Sequence, residues 1–225
     1  MGERDDAAGD VVAIYSGGMD STVLLWSLVA QGRGVRALTF DYGQRHVREI
    51  ESASALAARA GVPHTVVDLS SLRPLISRGS QTGDEPVPEG HYEAESMKTT
   101  VVPNRNMVML SVAAAHALAV GAPAVAFAAH GGDHAIYPDC RPDFVEALNL
   151  ALSRCDWGGV RVEAPFLSVS KAEIAALGAD LGVPLSETWS CYKGGLLHCG
   201  RCGTCVERRE AFASAGLADL TGYES

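Results

Sequence analysis

Positive charge is scarce in this sequence. Its 225 residues include 18 Lys and Arg against 27 Asp and Glu, which gives a formal net charge of −9 at pH 7. A protein that binds nucleic acid mainly through the phosphates needs a basic face, so we expect no stable nucleic-acid binding. Because net charge describes solubility and non-specific association, a locally basic substrate pocket remains compatible with this composition.

Long apolar segments are also missing. Residues 1–10 carry five charged residues and no apolar run, whereas a secretory signal needs a hydrophobic segment. The longest apolar stretch, 107–129, is interrupted by Gly121 and Pro123 and is typical of a helix followed by a strand rather than of a membrane span. We therefore expect a cytoplasmic protein that does not contact a membrane, with a polar tail at residues 1–10.

Several common motifs do not occur. Neither Gly-x-x-x-x-Gly-Lys-Ser/Thr nor Gly-x-Gly-x-x-Gly follows the first predicted strand, which disfavours transfer of the γ-phosphate. The sequence has no recognisable Ser-His-Asp arrangement and no internal repeat. Its 47 % hydrophobic and 20 % charged residues are near the globular average and exclude a disordered or collagen-like chain. The length suits one large or two small domains.

Short β-rich runs alternate with helical patterns along the chain. Strands are predicted at 11–15, 35–40, 64–69 and 124–128, and helices at 20–31, 47–60, 105–120, 144–152, from a capping box at Ser170 and Glu173 to about 181, and at 205–213. Residues 70–97 show no period and are predicted to form a long loop over the sheet edge. The alternation predicts an α/β fold, doubly wound around a mostly parallel sheet.

A glycine- and serine-rich turn at residues 16–21, Ser-Gly-Gly-Met-Asp-Ser, joins the first predicted strand to the first predicted helix. Glycines let the backbone approach an anion, and the hydroxyls of Ser16, Ser21 and Thr22 add donors near a helix N-terminus that favours negative charge. The turn therefore predicts a phosphate cradle, with Asp20 assigned to Mg²⁺ or to the shape of the loop. An ordinary glycine-rich turn is the alternative.

Cysteine is concentrated near the end of the sequence. Four of the six cysteines fall within fifteen residues, at Cys191, Cys199, Cys202 and Cys205. Thiolates at such short spacing can close around Zn²⁺ and leave no open coordination position, so we predict a structural zinc site in a C-terminal segment at 186–225. An iron–sulfur cluster has the same ligands and stays open as an alternative, whereas disulfides conflict with a reducing cytoplasm.

These motifs resemble those of known enzymes. The turn at 16–21 resembles the PP-loop of the ATP pyrophosphatase superfamily, whose members split ATP between its α and β phosphates. Together with the cysteine cluster it resembles the family of 7-cyano-7-deazaguanine synthases of the queuosine and deazapurine pathway. The likeness spans nearly the whole sequence and is carried by 15–25, Phe-Asp-Tyr-Gly-Gln-Arg-His at 40–46, Val-Pro-Asn-Arg-Asn at 102–106, Tyr-Pro-Asp-Cys-Arg at 137–141, Lys-Ala-Glu at 171–173 and the final cysteines.

The resemblance implies an ATP-dependent carbon–nitrogen ligase that converts 7-carboxy-7-deazaguanine and ammonia to the 7-cyano compound. A carboxylate is a poor acyl donor, and adenylation removes its charge and supplies a leaving group. Activating the resulting amide again permits loss of its oxygen and leaves the nitrile, with no residue becoming covalently attached. The resemblance further implies ATP, Mg²⁺ and Zn²⁺ as cofactors and an ATP-binding α/β domain at 11–185.

Residue roles follow from the matching positions. The resemblance implies that ATP binds to Tyr15, Ser16, Gly17, Gly18, Met19, Asp20, Ser21, Thr22, Val23, Leu24 and Leu25. It implies catalytic roles for Asp20, Arg105 and Lys171, the two cations serving as counter-charges for phosphate or the substrate carboxylate. It implies that the deazaguanine contacts Tyr137, Asp139 and Arg141. The alternatives are a solvated lysine, a surface arginine paired with a carboxylate, and a surface turn.

The sequence departs from the family pattern in two places. Asn104 stands where many members have Gly in Pro-Gly-Arg-Asn, and 132–136, Gly-Asp-His-Ala-Ile, differs from the commoner Glu-Thr-Asp-Phe-Ser-Gly type of segment. We therefore expect different substrate contacts there. His130 and His134 are interpreted as residues that fix a pocket or loop rather than as metal ligands.

Two other functions stay open at this point. One is a relative that couples a deazaguanine carboxylate to another amine, or a tRNA-modifying ligase or thiolase, although the acidic composition disfavours a tRNA substrate. The other is a binding module in which the cysteine segment recognises protein or nucleic acid and the glycine turn only holds nucleotide. A homodimer is compatible with the sequence.

Overall fold

The computed structural model describes residues 9–45 and 47–224. Most of the predicted tail at 1–10 lies outside this part, as does His46 of the 40–46 motif. Five parallel strands are described, in the order β3-β2-β1-β4-β5: β1 Val11–Ile14, β2 Val35–Asp41, β3 His64–Asp68, β4 Ala124–Ala126 and β5 Arg161–Glu163. The helices are α1 Met19–Ala30, α2 Arg48–Arg59, α3 Arg73–Ile76, α4 Gly79–Thr82, α5 Arg105–Val120, α6 Pro142–Leu152, α7 Lys171–Asp180 and α8 Gly203–Ser214. The predicted doubly wound α/β fold is confirmed.

The order of the strands reverses direction at β1. This strand pairs on one side with β2, Val11 opposite Val35, and on the other side with β4, Val11 opposite Ala124. In open α/β sheets, ligands bind beyond the carboxyl ends of the strands at such a switch point. The crevice beyond the ends of β1 and β4 is therefore where the fold favours a site.

Two apolar clusters cover the two faces of the sheet. Alternate residues of a strand point to opposite faces, so Val12 joins α5 and α6, whereas Val11 and Ala13 join α1, α2, α7 and α8. All three strand residues are almost completely buried. Helix α8, which follows the cysteine cluster, thus shares a core with α1 and is held against the sheet domain.

Residues 70–97 differ from their prediction as a loop without regular structure. They contain the short helices α3 and α4, and α4 is buried because it packs against Thr99, whose carbonyl accepts a hydrogen bond from Ser80 Oγ (3.3 Å). The segment continues to the cysteine cluster, where Glu89 and Cys202 form an isolated β-bridge. Strand β5 is not among the strands predicted from the sequence, because three residues are too few to show a period.

The apolar stretch at 107–129 lies in α5 and β4 and in the residues that join and follow them, as predicted. The side chains of β4 are buried in the middle of the sheet. In residues 9–45 and 47–224, no helix has both the length and the apolar character that a bilayer crossing requires.

Candidate active site

A cleft of about 230 Å³ opens at the carboxyl edge of the sheet. Its floor is made by residues at the ends of β1, β2 and β4, among them Tyr15, Phe40 and Phe127. Its walls come from the turn at 16–21, from the start of α5 and from the cysteine segment. The cleft therefore lies where the reversal in strand order leads us to expect a ligand.

The turn at 16–21 is shaped by close contact with α2. Gly17 has φ +75°, and a Cβ there would lie 2.5 Å from the backbone nitrogen of Ala53, so no other residue fits without displacement of the helix. The hydroxyls of Ser16 and Ser21 are 3.1 Å apart, and Ser16 Oγ accepts a hydrogen bond from the Gly18 amide (3.3 Å). The turn thus presents two hydroxyls beside the N-terminus of α1, which is an anion-binding arrangement.

Only the first part of the predicted ATP segment faces the cleft. Its lining residues are Tyr15, Ser16, Gly18, Met19, Asp20 and Ser21. Thr22 is buried and donates to the Gly18 carbonyl (2.7 Å), which fixes the first turn of α1. The side chains of Val23, Leu24 and Leu25, which the resemblance also assigns to ATP binding, are buried in the core between α1 and its neighbours.

Lys171 brings a buried positive charge to the turn. It is the first residue of α7, which begins at the capping box that Ser170 and Glu173 form as predicted. Its Nζ lies 3.1 Å from Asp20 Oδ2 and 2.6 Å from Glu207 Oε2, with only 12 % of the side chain exposed. Lys171 is therefore not the solvated lysine that the sequence left open.

Neighbouring charges shift the pKa values of Lys171 and Asp20. Burial alone would lower the pKa of Lys171, but the carboxylates of Asp20 and Glu207 outweigh it and raise the pKa. Burial alone would raise the pKa of Asp20, and here the charge and the hydrogen bond of Lys171 outweigh it and lower the pKa. Asp20 Oδ1 is buried without a hydrogen-bond partner among the described residues.

His130 completes the cluster from the end of β4. Its Nδ1 accepts a hydrogen bond from the Gly132 amide (3.1 Å), which assigns the proton of the neutral ring to Nε2. That Nε2 faces Asp133 Oδ1 at 3.6 Å, Glu207 Oε1 at 3.9 Å and Asp20 Oδ2 at 4.0 Å. His130 also caps the 3₁₀ turn Gly131–Ala135, in agreement with its interpretation as a loop-fixing residue.

Arg105 lies at the other end of the cleft, among tyrosines. Its Nη1 is 3.5 Å from the hydroxyl of Tyr42, and its guanidinium carbon is 6.0 Å from the ring centroid of Tyr137. Tyr192 also lines this end. No carboxylate in the described part of the chain forms an ion pair with Arg105, so it is not the surface arginine paired with a carboxylate that the sequence left open.

The predicted deazaguanine contacts are not brought together. Tyr137 lines the cleft, and its hydroxyl is 2.6 Å from Thr100 Oγ1. Asp139 lies outside the lining, where its Oδ2 accepts from the Asn106 amide at the start of α5 (3.2 Å). Arg141 is exposed and donates to the carbonyl of His134 (2.9 Å), also outside the lining.

The four clustered cysteines form a compact group of sulfur atoms. Cys191, Cys199, Cys202 and Cys205 are buried, and their Sγ atoms all lie within 4.8 Å of one another. Backbone amides of Cys199 and Cys202 point at neighbouring sulfurs at 3.4 and 3.2 Å, a contact that suits thiolates. A tetrahedron with Zn–S bonds of about 2.3 Å has S···S edges of roughly 3.8 Å. The cluster thus fits a metal ion, as predicted.

The cysteine segment also supplies part of the cleft. Ser190, Tyr192 and Thr204 line it, and Thr204 Oγ1 donates to the Ser190 carbonyl (2.7 Å). Sequence reasoning missed Glu207 because it lies in a charged helical run that is typical of a solvated face. Tyr192 was missed because nothing local distinguishes it from a loop tyrosine.

Comparison with known proteins identifies the family. The family model described as "Queuosine biosynthesis protein QueC" matches residues 10–216. A 7-cyano-7-deazaguanine synthase from Marinobacter nauticus is 52 % identical, over 95 % of this chain and 97 % of the relative. One from Methanoregula boonei is 54 % identical, over 95 % and 98 %.

A solved structure shares the fold at low identity. The U34-tRNA thiolase NcsA from Methanococcus maripaludis, with its 4Fe–4S cluster, is 14 % identical and aligns over 99 % of this chain and 81 % of its own, with a TM-score of 0.52. At this identity the likeness concerns the fold alone. The match to the family model and the identity to the two synthases are decisive: the chain belongs to the QueC family of queuosine biosynthesis proteins.

Proposed function

We propose that this chain is a 7-cyano-7-deazaguanine synthase, which uses ATP and ammonia to convert 7-carboxy-7-deazaguanine to the nitrile. The observation that carries the proposal is one cleft with a phosphate cradle at one end and, at the other, an arginine without an ion-pair partner among the described residues. An organic acid that is to be adenylated needs both. Family membership and the names of the two relatives support the same reaction.

The cradle at 16–21 binds the pyrophosphate part of ATP. The hydroxyls of Ser16 and Ser21 and the N-terminus of α1 supply donors, and Lys171 supplies positive charge beside them. Asp20 fits a magnesium ligand because its Oδ1 is buried and has no hydrogen-bond partner in the described part of the chain. Bound there, Mg²⁺ would offset the charge of the phosphates.

The substrate carboxylate pairs with Arg105, whose planar guanidinium suits bidentate contact with a carboxylate. A carboxylate oxygen then attacks the α-phosphorus, and the bond to pyrophosphate breaks. Ammonia attacks the carbonyl carbon of the adenylate, AMP leaves, and loss of a proton gives the amide. The amide oxygen attacks the α-phosphorus of a second ATP with loss of pyrophosphate, and departure of AMP together with loss of both N–H protons leaves the nitrile.

Aromatic side chains provide the surface for the deazaguanine ring. Tyr42, Tyr137 and Tyr192 surround the end of the cleft at Arg105. Of the residues that the sequence assigned to the substrate, we retain Tyr137. Asp139 and Arg141 are left out of the proposed site because neither lines the cleft.

The ion of the cysteine cluster is proposed to be Zn²⁺. Four thiolates close its coordination, so its role is to hold the segment that supplies Ser190, Tyr192 and Thr204 to the cleft. The division into units at 11–185 and 186–225, the cytoplasmic location and the homodimer stay predictions.

Product analysis tests the proposed reaction. Purified protein is incubated with 7-carboxy-7-deazaguanine, ATP, Mg²⁺ and ammonium, and we expect the nitrile by mass spectrometry together with AMP and pyrophosphate. S16A should fold normally and release no AMP, because it removes a hydroxyl from the cradle. Formation of ADP, or AMP without any nitrile, would contradict the proposal.

A further inference from the structure

Glu207 stands out as a buried carboxylate that the proposed reaction does not use. It lies on α8 with 12 % of its side chain exposed. Its two oxygens face different groups: Oε2 is 2.6 Å from Lys171 Nζ, and Oε1 is 3.9 Å from His130 Nε2. Burying a carboxylate is costly unless it is paired, so its position calls for an explanation.

The first part of that explanation is the charge balance around Lys171. If its ammonium paired with Asp20 alone, the two charges would cancel. With Glu207 as a second partner, two carboxyl groups share one ammonium, so Lys171 does not pair with Asp20 alone. Lys171 is then divided between its partners, and within residues 9–45 and 47–224 Asp20 Oδ1 has no hydrogen-bond partner.

The second part is the way in which α8 is held. Cys202 is the N-cap residue of this helix and Cys205 lies in its first turn, so two of the four clustered sulfurs fix where the helix begins. Glu207 lies half a turn after Cys205. Thr204, which lies between the two cysteines in sequence, lines the cleft. The cysteine cluster therefore determines where the Glu207 carboxylate meets Lys171.

We infer that Glu207 is a positioning residue for ATP activation: by holding Lys171 it keeps Asp20 available to the magnesium ion on the pyrophosphate. This inference rests on the proposed function. Without the Glu207 charge, the ammonium of Lys171 pairs fully with Asp20 and competes with Mg²⁺ for that carboxylate. Arg105 lies at the other end of the cleft, so binding of the organic acid is not affected.

The test compares E207Q with E210Q. Glu210 is the matched control because it lies on the same helix but is exposed, 3.7 Å from His91 Nε2. Binding of ATP is measured by calorimetry over a range of Mg²⁺ concentrations, without the organic acid. Steady-state kinetics then give KM for ATP and for the acid, and metal analysis gives the occupancy of the cysteine cluster.

For E207Q we expect the Mg²⁺ concentration that half-saturates ATP binding to rise about tenfold, since a charge-assisted contact is lost. KM for the acid and the metal content should stay at their wild-type values, and E210Q should match the wild type throughout. If E207Q does not fold, E207D takes its place and should lie between E207Q and the wild type, because it keeps the charge with a shorter reach.

Two results would overturn the inference. One is an unchanged Mg²⁺ dependence in E207Q or E207D. The other is loss of the cysteine-bound metal in E207Q, which would make the residue purely structural. Either result leaves the proposed function standing as long as the wild-type protein makes the nitrile. A wild-type protein that neither binds ATP nor releases AMP would overturn both.

Discussion

The two ends of the cleft differ in how their positively charged side chains are paired. At the phosphate end, Lys171 is shared by Asp20 and Glu207, and His130 faces the same carboxylates. At the aromatic end, Arg105 is surrounded by tyrosines and has no ion-pair partner in residues 9–45 and 47–224. The phosphate end is thus organised before any ligand arrives, whereas under the proposed function the carboxylate of the substrate completes the aromatic end.

Both ends nevertheless depend on the same segment of chain. The segment that contains the four clustered cysteines supplies Glu207 to the phosphate end and Tyr192 to the aromatic end. Removing Lys171 at the phosphate end should therefore lower the unfolding free energy, whereas removing Arg105 at the aromatic end should change it little. Breaking the cysteine cluster should affect both ends together.

Breaking the cysteine cluster should have the largest effect. In C202S we expect loss of the metal, a fall in soluble yield and impaired binding of both ATP and the acid. Structural zinc contributes folding free energy directly, and a loss of about 4 kcal/mol would lower the Tm of a chain of this size by roughly 10 °C. Metal analysis and thermal unfolding measure this.

The control for that change is C155S. Cys155 is exposed and lies outside the cluster. The C155S variant should therefore have the metal content, Tm and activity of the wild type. A C202S protein that keeps its metal and both affinities would show that the cysteines do not organise the cleft.

Removing the charge of Lys171 should have the next largest effect. In K171M two buried carboxylates lose their counter-charge, and removing one partner of a buried pair costs about 3–5 kcal/mol of unfolding free energy. AMP release should fall by about 10²–10³-fold, since a preorganised charge at the phosphate is lost. Urea unfolding and a radiolabelled AMP assay measure the two losses.

The double variant K171M/E207Q sharpens this result. It removes one of the carboxylates left without a partner, so it should regain part of the lost stability but none of the lost AMP release. Equal stability of the single and double variants would contradict the shared pairing of Lys171.

The contrast between the two ends was only partly predictable. Local patterns identified the turn at 16–21, the capping box that starts α7 and the cysteine cluster, because the residues of each lie close together in sequence. Glu207 meets Lys171 across 36 positions of sequence, and only the packing of α8 on α7 creates that contact. The same holds for Tyr192, which reaches the cleft from the cysteine segment.

Sequence likeness assigns roles to contiguous runs of residues, but the side chains of such a run do not all face the cleft. Val23, Leu24 and Leu25 continue the predicted ATP segment, but α1 is buried on most of its surface, so all three side chains pack in the core. Arg141 belongs to the same short run as Tyr137, yet the chain turns between them and leaves Arg141 exposed. A run of residues in one motif therefore does not define one surface.

Changing Arg105 should alter binding without altering stability. In R105Q we expect KM for the organic acid to rise about 10- to 100-fold, the range for a lost charge-assisted contact. The unfolding free energy and ATP binding should change little, because the guanidinium forms no ion pair with any residue that the structure describes. R141Q is the control and should keep the wild-type KM. A destabilisation like that of K171M would mean that Arg105 is paired after all.

The smallest effect is expected at Asn104, directly before Arg105. It is the one non-glycine residue with positive φ (56°) in the described chain, and its side chain is exposed. Asn tolerates this left-handed conformation better than other residues with a Cβ, which explains how it can stand at a position that favours Gly.

N104A should therefore lower the unfolding free energy by about 1 kcal/mol, whereas N104G should change it by less than about 0.5 kcal/mol. Denaturant midpoints measure both. KM for the acid should be unchanged in N104G, because the position sets the backbone at the start of α5 and its side chain does not line the cleft. A higher KM with unchanged stability would instead make Asn104 a substrate contact, and the aromatic end of the cleft would then extend beyond Arg105 to the surface.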